Sequence, residues 1–476
     1  MPHPPRSSRS LRPLFFLVLV LGAGALTARD WHVSALDGDD QHYGATPATA
    51  LATLKKAATL VQPGDVVLVG DGIYTDPDRA GHSSVVTLRI DGRPDAWITW
   101  KARPGHRPDI RPLGWNGIVV AASYQIVEGF TVVGSNASIT LKDSLEDATK
   151  PRPNPSYNTN GIGVNGTLLP PDRKPHHVII RHCTVSLCGG GGIYATETDY
   201  LTIEDCLVFD NAWYSRYANS GISPIHNWAH DDAPGYHVVI QRNRTWNNRS
   251  LVPWKVTGKL SDGNGIILDV TDQRRQGATN ATGDAAKPQP PSAPATTPGT
   301  APATAAAPDP NAGNPQRPVW RGRTLVANNV SAFNGGSGIH AFRVSHADLV
   351  NNTTYHNGSV VGYPELFANA CVDVVILNNI IVPRPGGAVT SNHNNRDVRW
   401  DYNLYPAAQS VLAGAHDLVA TPVFVSVRPD LREADFRLRP RSPGIDQGSS
   451  DALPPADHAG RRRPKGKAPD RGAHER

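Results

Sequence analysis

Several features are missing from this chain. It has no apolar run long enough to span a bilayer, since the run at residues 14–21 is well short of the roughly 20 residues that a membrane helix needs. It has no EF-hand or other compact metal-binding motif. Cysteine is scarce, with four in 476 residues, and in an exported protein these four form disulfides or serve as small buried side chains. The absences argue against an integral membrane protein and an EF-hand protein.

The first 28 residues predict a signal peptide. Arginines precede the apolar run, small residues follow it, and no cysteine comes after it to carry a lipid anchor. We therefore expect a secreted or periplasmic protein with no membrane attachment after signal removal. The formal net charge of +5 falls below zero once this peptide and the basic stretch 461–476 are set aside, so no nucleic-acid partner is expected. The protein is expected to be a monomer.

What the chain does contain is a short phrase that recurs through its second half. The phrase alternates apolar and polar residues rich in Val, Ile and Thr. It ends at Cys183, Cys206, Asn243, Asn329, Asn352, Asn379 and Asn403. Such a repeat is typical of a solenoid, because one unit cannot bury its apolar face until a neighbour stacks on it. The alternation predicts strands, and stacking them places the final Cys and Asn residues in one column where amides bond to each other. The fold class predicted is all-β, a parallel β-helix.

A second phrase sets the register between coils. It begins at Gly192, Gly221, Gly265 and Gly338, and an Ile follows each glycine. If these Ile side chains point inward, Asp269 and His340 point outward on adjacent strands, because side chains alternate along a strand. Both are expected to face solvent, with His226 and Arg343 at the ends of the same strands.

The rest of the chain divides around this solenoid. Residues 29–75 predict an N-terminal cap that contains an amphipathic helix near 48–61. The parallel β-helix is expected over 76–446. Within it, residues 277–318 are almost wholly Ala, Pro, Thr, Gly, Asn and Gln, which predicts a disordered insertion. Residues 447–476 form a basic C-terminal tail.

The cap, the Asn-Asn coils and the closing phrase Ser442-Pro-Gly-Ile-Asp446 resemble the bacterial right-handed parallel β-helix proteins of the pectate-lyase-like superfamily. The resemblance covers nearly all of the chain after the signal peptide. It implies a right-handed parallel β-helix. For function it implies only a broad range, because that scaffold carries lyases, hydrolases, epimerases and phage tailspikes.

Interruptions of the repeat indicate where a site would lie, since a solenoid places insertions in turns on one face. The two longest interruptions supply carboxylates that suit Ca²⁺, the candidate cofactor. The predicted metal ligands are Asp231, Asp232, Asp262, Asp269 and the amide oxygen of Asn264. The alternative is turn chemistry, because Asp and Asn beside Gly favour tight bends.

Catalytic candidates come from the chemistry of β-elimination. Abstracting the hydrogen next to a uronic acid carboxyl requires a base and a positive charge that stabilises the enolate. His340 is the preferred proton acceptor, and Arg343 is expected to neutralise a carboxylate by a two-point contact. Lys255 is the second candidate base, with a solvated surface lysine as the alternative.

Predicted substrate-binding residues surround these candidates. They are His226, Tyr214, Arg216, Trp228 and Trp254. Aromatic rings near polar groups suit the faces of sugars, and packing within a long turn is the alternative explanation.

Three functions remain open at this point. The leading hypothesis is a secreted polysaccharide lyase that cleaves an acidic, uronic-acid-containing polymer by β-elimination. The second is a glycoside hydrolase that uses two Asp residues as acid and base. Asp231-Asp232 imitates the Asp pair of the polygalacturonases, but their Gly-His-Gly and Arg-Ile-Lys signatures are absent. The third is a non-catalytic carbohydrate-binding or surface β-helix protein.

Overall fold

The structure is a computed structural model that describes residues 1, 28–76, 83–271, 314 and 316–476. Nearly all of the predicted signal peptide and of the predicted disordered insertion lies outside these residues. Within the described residues, we find no helix with the length and apolar character that crossing a bilayer requires.

Three parallel sheets form the walls of a solenoid. Each coil passes once through sheet 1, sheet 2 and sheet 3, and each strand pairs with the equivalent strands of the neighbouring coils. In the described part of the chain, sheets 1 and 2 have eleven strands each and sheet 3 has nine. The parallel β-helix predicted from the sequence is confirmed.

The strands of sheet 1 are Asp30–Val33, Val66–Val69, Ile98–Ala102, Gln125–Glu128, His176–Arg181, Asp199–Glu204, Tyr236–Gln241, Arg323–Ala327, Ser345–Val350, Val372–Leu377 and Arg396–Asp401. Those of sheet 2 are Ile73–Thr75, Asp109–Arg111, Thr131–Val133, Thr184–Ser186, Leu207–Phe209, Arg244–Trp246, Val330–Ala332, Thr353–Tyr355, Ile380–Val382, Leu404–Tyr405 and Leu418–Val419. Those of sheet 3 are Ser84–Leu88, Asn116–Val120, Asn160–Asn165, Ile193–Thr196, Ile222–Ile225, Ile266–Asp269, Ile339–Phe342, Leu366–Asn369 and Asn392–His393. An antiparallel pair follows at Phe424–Ser426 and Asp435–Leu438.

Branched apolar side chains fill the interior of the solenoid in straight columns. One column of sheet 1 consists of Ile180, Ile203, Ile240, Val326, Leu349, Ile376 and Trp400. All of these side chains are buried. Burial of each Val, Ile or Leu contributes about 1.5 to 3 kcal/mol, so the stacked columns are the main source of stability.

The predicted Asn column occupies the turn between sheets 1 and 2. The Asn352 amide nitrogen donates to Oδ1 of Asn379 at 3.1 Å, and the same bond joins Asn329 to Asn352 at 3.0 Å. Each Oδ1 atom also accepts a hydrogen bond from the backbone N–H of the column Asn in the preceding coil. The residue before each column position has a left-handed backbone, as at Asn351 with φ of 53°. Asn tolerates that conformation better than most residues, which explains the Asn-Asn pairs of the sequence.

A second Asn ladder, which the sequence analysis missed, follows sheet 2. Asn211, Asn248, Asn334 and Asn357 are fully buried and bond amide to amide in that order. Their spacings of 37, 86 and 23 residues are those of the first column, so the same self-comparison finds them. The ladder ends at the buried carboxylate of Glu365, which accepts the Asn357 backbone N–H.

Helices are few and short in the described residues. The cap helix spans Leu54–Ala58 rather than the predicted 48–61, because Ala50 is extended and separates the helix from the 3₁₀ turn Pro47–Thr49. A second helix, Leu141–Ala148, lies in a connection between sheets 2 and 3 and was not predicted. The remaining 3₁₀ turns are Asn136–Ser138, Pro155–Tyr157, Gly166–Leu168 and Pro171–Arg173.

The C-terminal segment packs against the solenoid. Arg463 and Glu475 form a buried ion pair at 3.0 Å. Arg471 donates to the backbone carbonyl of Asn403 in the first Asn column, and the Ala473 N–H donates to Thr353 on sheet 2. The basic residues of this segment therefore cover sheet 2 and the adjoining turn.

Candidate functional site

The register predicted for sheet 3 is confirmed. Ile266 pairs with Ile339, and Asp269 pairs with Phe342 one coil further along. Both Ile side chains are buried in the core. Since side chains alternate along a strand, His340 and Asp269 point away from the core, onto the outer face of sheet 3.

The expectation that His340 faces solvent is wrong. Its ring is only 7% exposed because aromatic side chains cover it. Phe367 of the next coil stacks on it with a centroid separation of 4.0 Å and an interplanar angle of 21°. The rings of Tyr363 and Phe342 lie 5.8 and 6.0 Å away. His340 is therefore outside the core but inside an aromatic pocket.

Burial changes the proton affinity of His340. It lowers the pKa of the imidazole to about 3, so the ring is neutral at pH 7. Neither ring nitrogen has a hydrogen-bond partner among the described residues. A buried polar group without a partner is rare and costs stability, which makes His340 a candidate for a functional role.

Asp269 shows the opposite shift from the same cause. Burial raises the pKa of its carboxyl to about 8, the charge of Asp262 adds to the rise, and Arg343 and Arg317 oppose it. Within the described part of the chain, Oδ1 of Asp269 has no hydrogen-bond partner. The carboxyl group therefore keeps its proton at neutral pH.

Asp262 lies just before the strand Ile266–Asp269, and Asp269 is the last residue of that strand. Burial raises the pKa of the Asp262 carboxyl to about 7, and hydrogen bonds from Ser261 and Asn264 oppose the shift. The Asn264 amide oxygen accepts two hydrogen bonds from Ser337, at 2.9 and 2.8 Å. Asn264 is thus part of a short polar ladder, and its predicted metal-binding oxygen is already engaged.

His226 and Arg343 follow the two strands of sheet 3 that flank the Ile266–Asp269 strand. Both have left-handed backbones, with φ of 54° and 51°. The His226 N–H donates to the Asp269 carbonyl at 3.1 Å, and Arg343 is buried close enough to lower the pKa of Asp269. The structure thus brings His226, Asp269 and Arg343 to one end of sheet 3.

The predicted turn carboxylates have partners elsewhere. Asp231 accepts the Tyr200 hydroxyl at 2.6 Å, and Asp232 forms an exposed ion pair with Arg321 at 3.1 Å. Among the described residues, no three of the predicted carboxylates lie close enough to share one ion. Ca²⁺ takes six to eight oxygen ligands, so the predicted donor set does not fit a calcium ion.

Four other predicted residues lie in the connections from sheet 2 to sheet 3. Lys255 is exposed, and its Nζ lies 4.7 Å from the centre of the Tyr217 ring. The Arg216 guanidinium is buried and donates to the carbonyls of Ala148 and Lys150, so it fixes the end of the second helix. Tyr214 and Trp254 are partly buried in the same connections, where they are 40 residues apart in sequence. This group precedes the strands of sheet 3, whereas Arg343 follows them.

Trp228 lies in the turn from sheet 3 to sheet 1. It is buried, with Lys174 Nζ 4.7 Å from the centre of its ring, and Lys174 forms an ion pair with Glu197 at 2.5 Å. A cavity of about 400 Å³ opens beside it, and His176 and His230 also line this cavity.

A histidine cluster that was not predicted from the sequence lies in this turn. One nitrogen from each of His176, His177 and His230 lies within 4.8 Å of the other two. Burial, together with the neighbouring histidines, lowers the pKa of His176 to about 4. His177, Tyr200 and His237 stack ring on ring along successive coils. The sequence pattern that could have indicated this cluster is a His or Tyr near the start of three successive sheet 1 strands, at His177, Tyr200 and His237.

Comparisons with known proteins agree with this architecture. The family described as "Right handed beta helix region" matches residues 116–271. Among solved structures, pectate lyase Pel9A is 16% identical, with a TM-score of 0.51 over 95% of this chain and 98% of its own. A rhamnogalacturonan lyase is 13% identical, with a TM-score of 0.40 over 83% and 85%. The GH136 lacto-N-biosidase from Eubacterium ramulus is 15% identical, with a TM-score of 0.42 over 82% and 67%.

No curated protein matches the chain. The family match and the full-length likeness to the pectate lyase establish the fold. The chain is a right-handed parallel β-helix protein.

Proposed function

We propose that the protein is an exported carbohydrate-active enzyme that cleaves a uronic-acid polysaccharide by β-elimination on the outer face of sheet 3. The observation that carries the proposal is that His340 and Asp269 lie on adjacent strands of this face, with Arg343 directly after the His340 strand. The imidazole is uncharged, and neither of its nitrogens has a partner among the described residues, while the carboxyl group on the adjacent strand keeps its proton. The likeness of the chain to pectate lyase Pel9A, over nearly the full length of both proteins, supports the general class.

The three side chains match the steps of an elimination. Arg343 neutralises the sugar carboxylate, which makes the neighbouring hydrogen acidic. His340 accepts that proton, a carbon–carbon double bond forms, and the glycosidic carbon–oxygen bond breaks. Asp269 gives its proton to the departing oxygen. A bound sugar carboxylate also raises the pKa of His340, because a nearby negative charge favours the imidazolium. No step is assigned to Ca²⁺, since its predicted ligands do not fit one ion.

Hydrolysis is the second candidate, and one observation favours it. Asp262 and Asp269 interact electrostatically, and their pKa values are raised to about 7 and about 8. A carboxyl group that stays protonated near neutral pH is the general acid that a glycoside hydrolase needs.

Product chemistry separates these functions. The purified mature protein is incubated with pectate, alginate, glucuronan and glycosaminoglycans. We expect unsaturated products that absorb in the near ultraviolet. Reducing ends without that absorbance would identify a hydrolase. Binding without either product would leave a carbohydrate-binding protein and overturn the proposal.

A matched pair of variants links activity to the site. His340→Ala should lower the rate by roughly 10² to 10⁴, the range for loss of a general base. His393→Ala, at an exposed strand on the same sheet, should leave it unchanged. Full activity in the His340→Ala protein would remove His340 from the mechanism and make Lys255 the base to test.

A further inference from the structure

We propose that His176, His177 and His230 bind one transition-metal ion of the Zn²⁺ type, at a site separate from the outer face of sheet 3. Three imidazole nitrogens are the donor set that such ions prefer, whereas Ca²⁺ and Mg²⁺ prefer oxygen. The proposal is independent of the lyase chemistry.

The backbone explains how two consecutive histidines serve one site. Successive side chains in a strand normally point to opposite faces. His177 interrupts this alternation with a left-handed φ of 54°, and the ladder pairs His176 with Asp199 and then Val178 with Leu201. As a result, the Nδ1 atoms of His176 and His177 lie 2.8 Å apart.

The third ligand comes from the next coil but one. His230 lies in the turn that follows the sheet 3 strand Ile222–Ile225. Its ring stacks on that of His176 with centroids 3.7 Å apart. Zn–N bonds of about 2.0 to 2.1 Å in a tetrahedral site place ligand nitrogens about 3.3 Å apart. The three nitrogens lie within 4.8 Å of one another. On metal binding the Nδ1 atoms of His176 and His177, 2.8 Å apart, would separate slightly, and the exposed His230 ring would turn from its stacked position.

Buried polar groups hold the cluster in place from behind. The fully buried Asp199 carboxylate accepts the His230 backbone N–H at 2.8 Å, the Trp320 indole N–H at 2.8 Å and a hydrogen bond from His237 Nδ1 at 3.0 Å. Tyr200 stacks on His177 at 4.3 Å. Metal sites depend on such supporting groups to orient their ligands.

Access for a fourth ligand comes from the adjoining cavity. His176 and His230 form part of the lining of the cavity of about 400 Å³ beside Trp228. An ion held by three protein ligands with one position open to such a cavity has the arrangement of a catalytic rather than a structural zinc site.

Metal titration of the full mature protein tests the proposal. The protein is stripped of metal and titrated with Zn²⁺ by calorimetry, and with Co²⁺ by visible absorption. We expect one ion per chain and a Co²⁺ spectrum with the intense bands of four-coordinate geometry. A Co²⁺ spectrum unchanged from that of the aqueous ion, or no stoichiometric Zn²⁺ binding, would overturn the site. The histidines would then be a stacked aromatic column only.

Variants locate the ion. His230→Ala, at an exposed position that should fold normally, should weaken Zn²⁺ binding by roughly 100-fold or more. His393→Ala should bind Zn²⁺ as the parent does. Equal affinity in the parent and in His230→Ala would show that the ion binds elsewhere and contradict the assignment.

Discussion

The Asn column and the outer face of sheet 3 differ in whether their buried polar groups have hydrogen-bond partners. In the column, the Asn352 amide is completely buried, yet it donates to Asn379 and to the Val326 carbonyl and accepts from Asn329. On the outer face, both nitrogens of His340 and one oxygen of Asp269 are buried without partners in the part of the chain that the structure describes. The column follows the rule for native proteins, and the outer face departs from it.

The difference separates groups that stabilise the fold from groups that await a ligand. A satisfied amide contributes about 0.5 to 1.5 kcal/mol per hydrogen bond, while an unsatisfied buried group costs about 1 to 3 kcal/mol. A stable solenoid tolerates that cost at a few positions. Such positions with strongly shifted pKa values, as at His340 and Asp269, are the candidates from which we propose a functional site.

The largest expected effect is on the column itself. Asn352→Ala removes one amide and leaves the Asn329 N–H and the Val326 carbonyl without partners, so the free energy of unfolding should fall by about 3 to 5 kcal/mol. Urea denaturation measures this loss. Asn392→Ala, at an exposed strand, should change the value by no more than about 0.5 kcal/mol. Equal effects would show that the column is not a stabilising element.

A smaller effect, opposite in sign, is expected at Asp269. Because its pKa is raised to about 8 in the folded protein, the native state holds an extra proton between pH 4 and pH 8. The carboxyl group therefore lowers stability as the pH rises through that window. Asp269→Asn should stabilise the protein on the order of 1 to 3 kcal/mol at pH 9 and hardly at all at pH 4.

Urea denaturation of parent and variant at both pH values checks this. The exposed Asp232→Asn protein is the control, and it should show little difference at either pH. An Asp269→Asn protein that is destabilised at pH 9 would mean that the ionised carboxylate has a structural partner.

The smallest effect concerns the cysteines. All four are buried and none forms a disulfide, and Cys183 and Cys206 hold positions in the first column that later coils fill with Asn. Reductant should therefore leave the melting temperature unchanged, and thiol reagents should label the protein only after unfolding. A drop in melting temperature with reductant would reveal a disulfide.

The sequence predicted what short-range periodicity controls. The Asn column and the pairing of Ile266 with Ile339 follow from comparing the chain with itself, because neighbouring coils repeat the same pattern. What covers a side chain is not periodic. Phe367 covers His340 from the following coil. For the same reason the hydrogen bond between Tyr200 and Asp231 could not be predicted, since the two residues lie in different coils.

The most direct test of the central claim is to replace His340 with Phe and to measure stability and activity on the same protein. Phe keeps the stacking on Phe367 and removes the two unpartnered nitrogens. If His340 is retained for function at a cost in stability, the variant should melt higher than the parent and lose β-elimination activity. A variant that melts lower, or that cleaves the polymer as fast as the parent, would contradict the account.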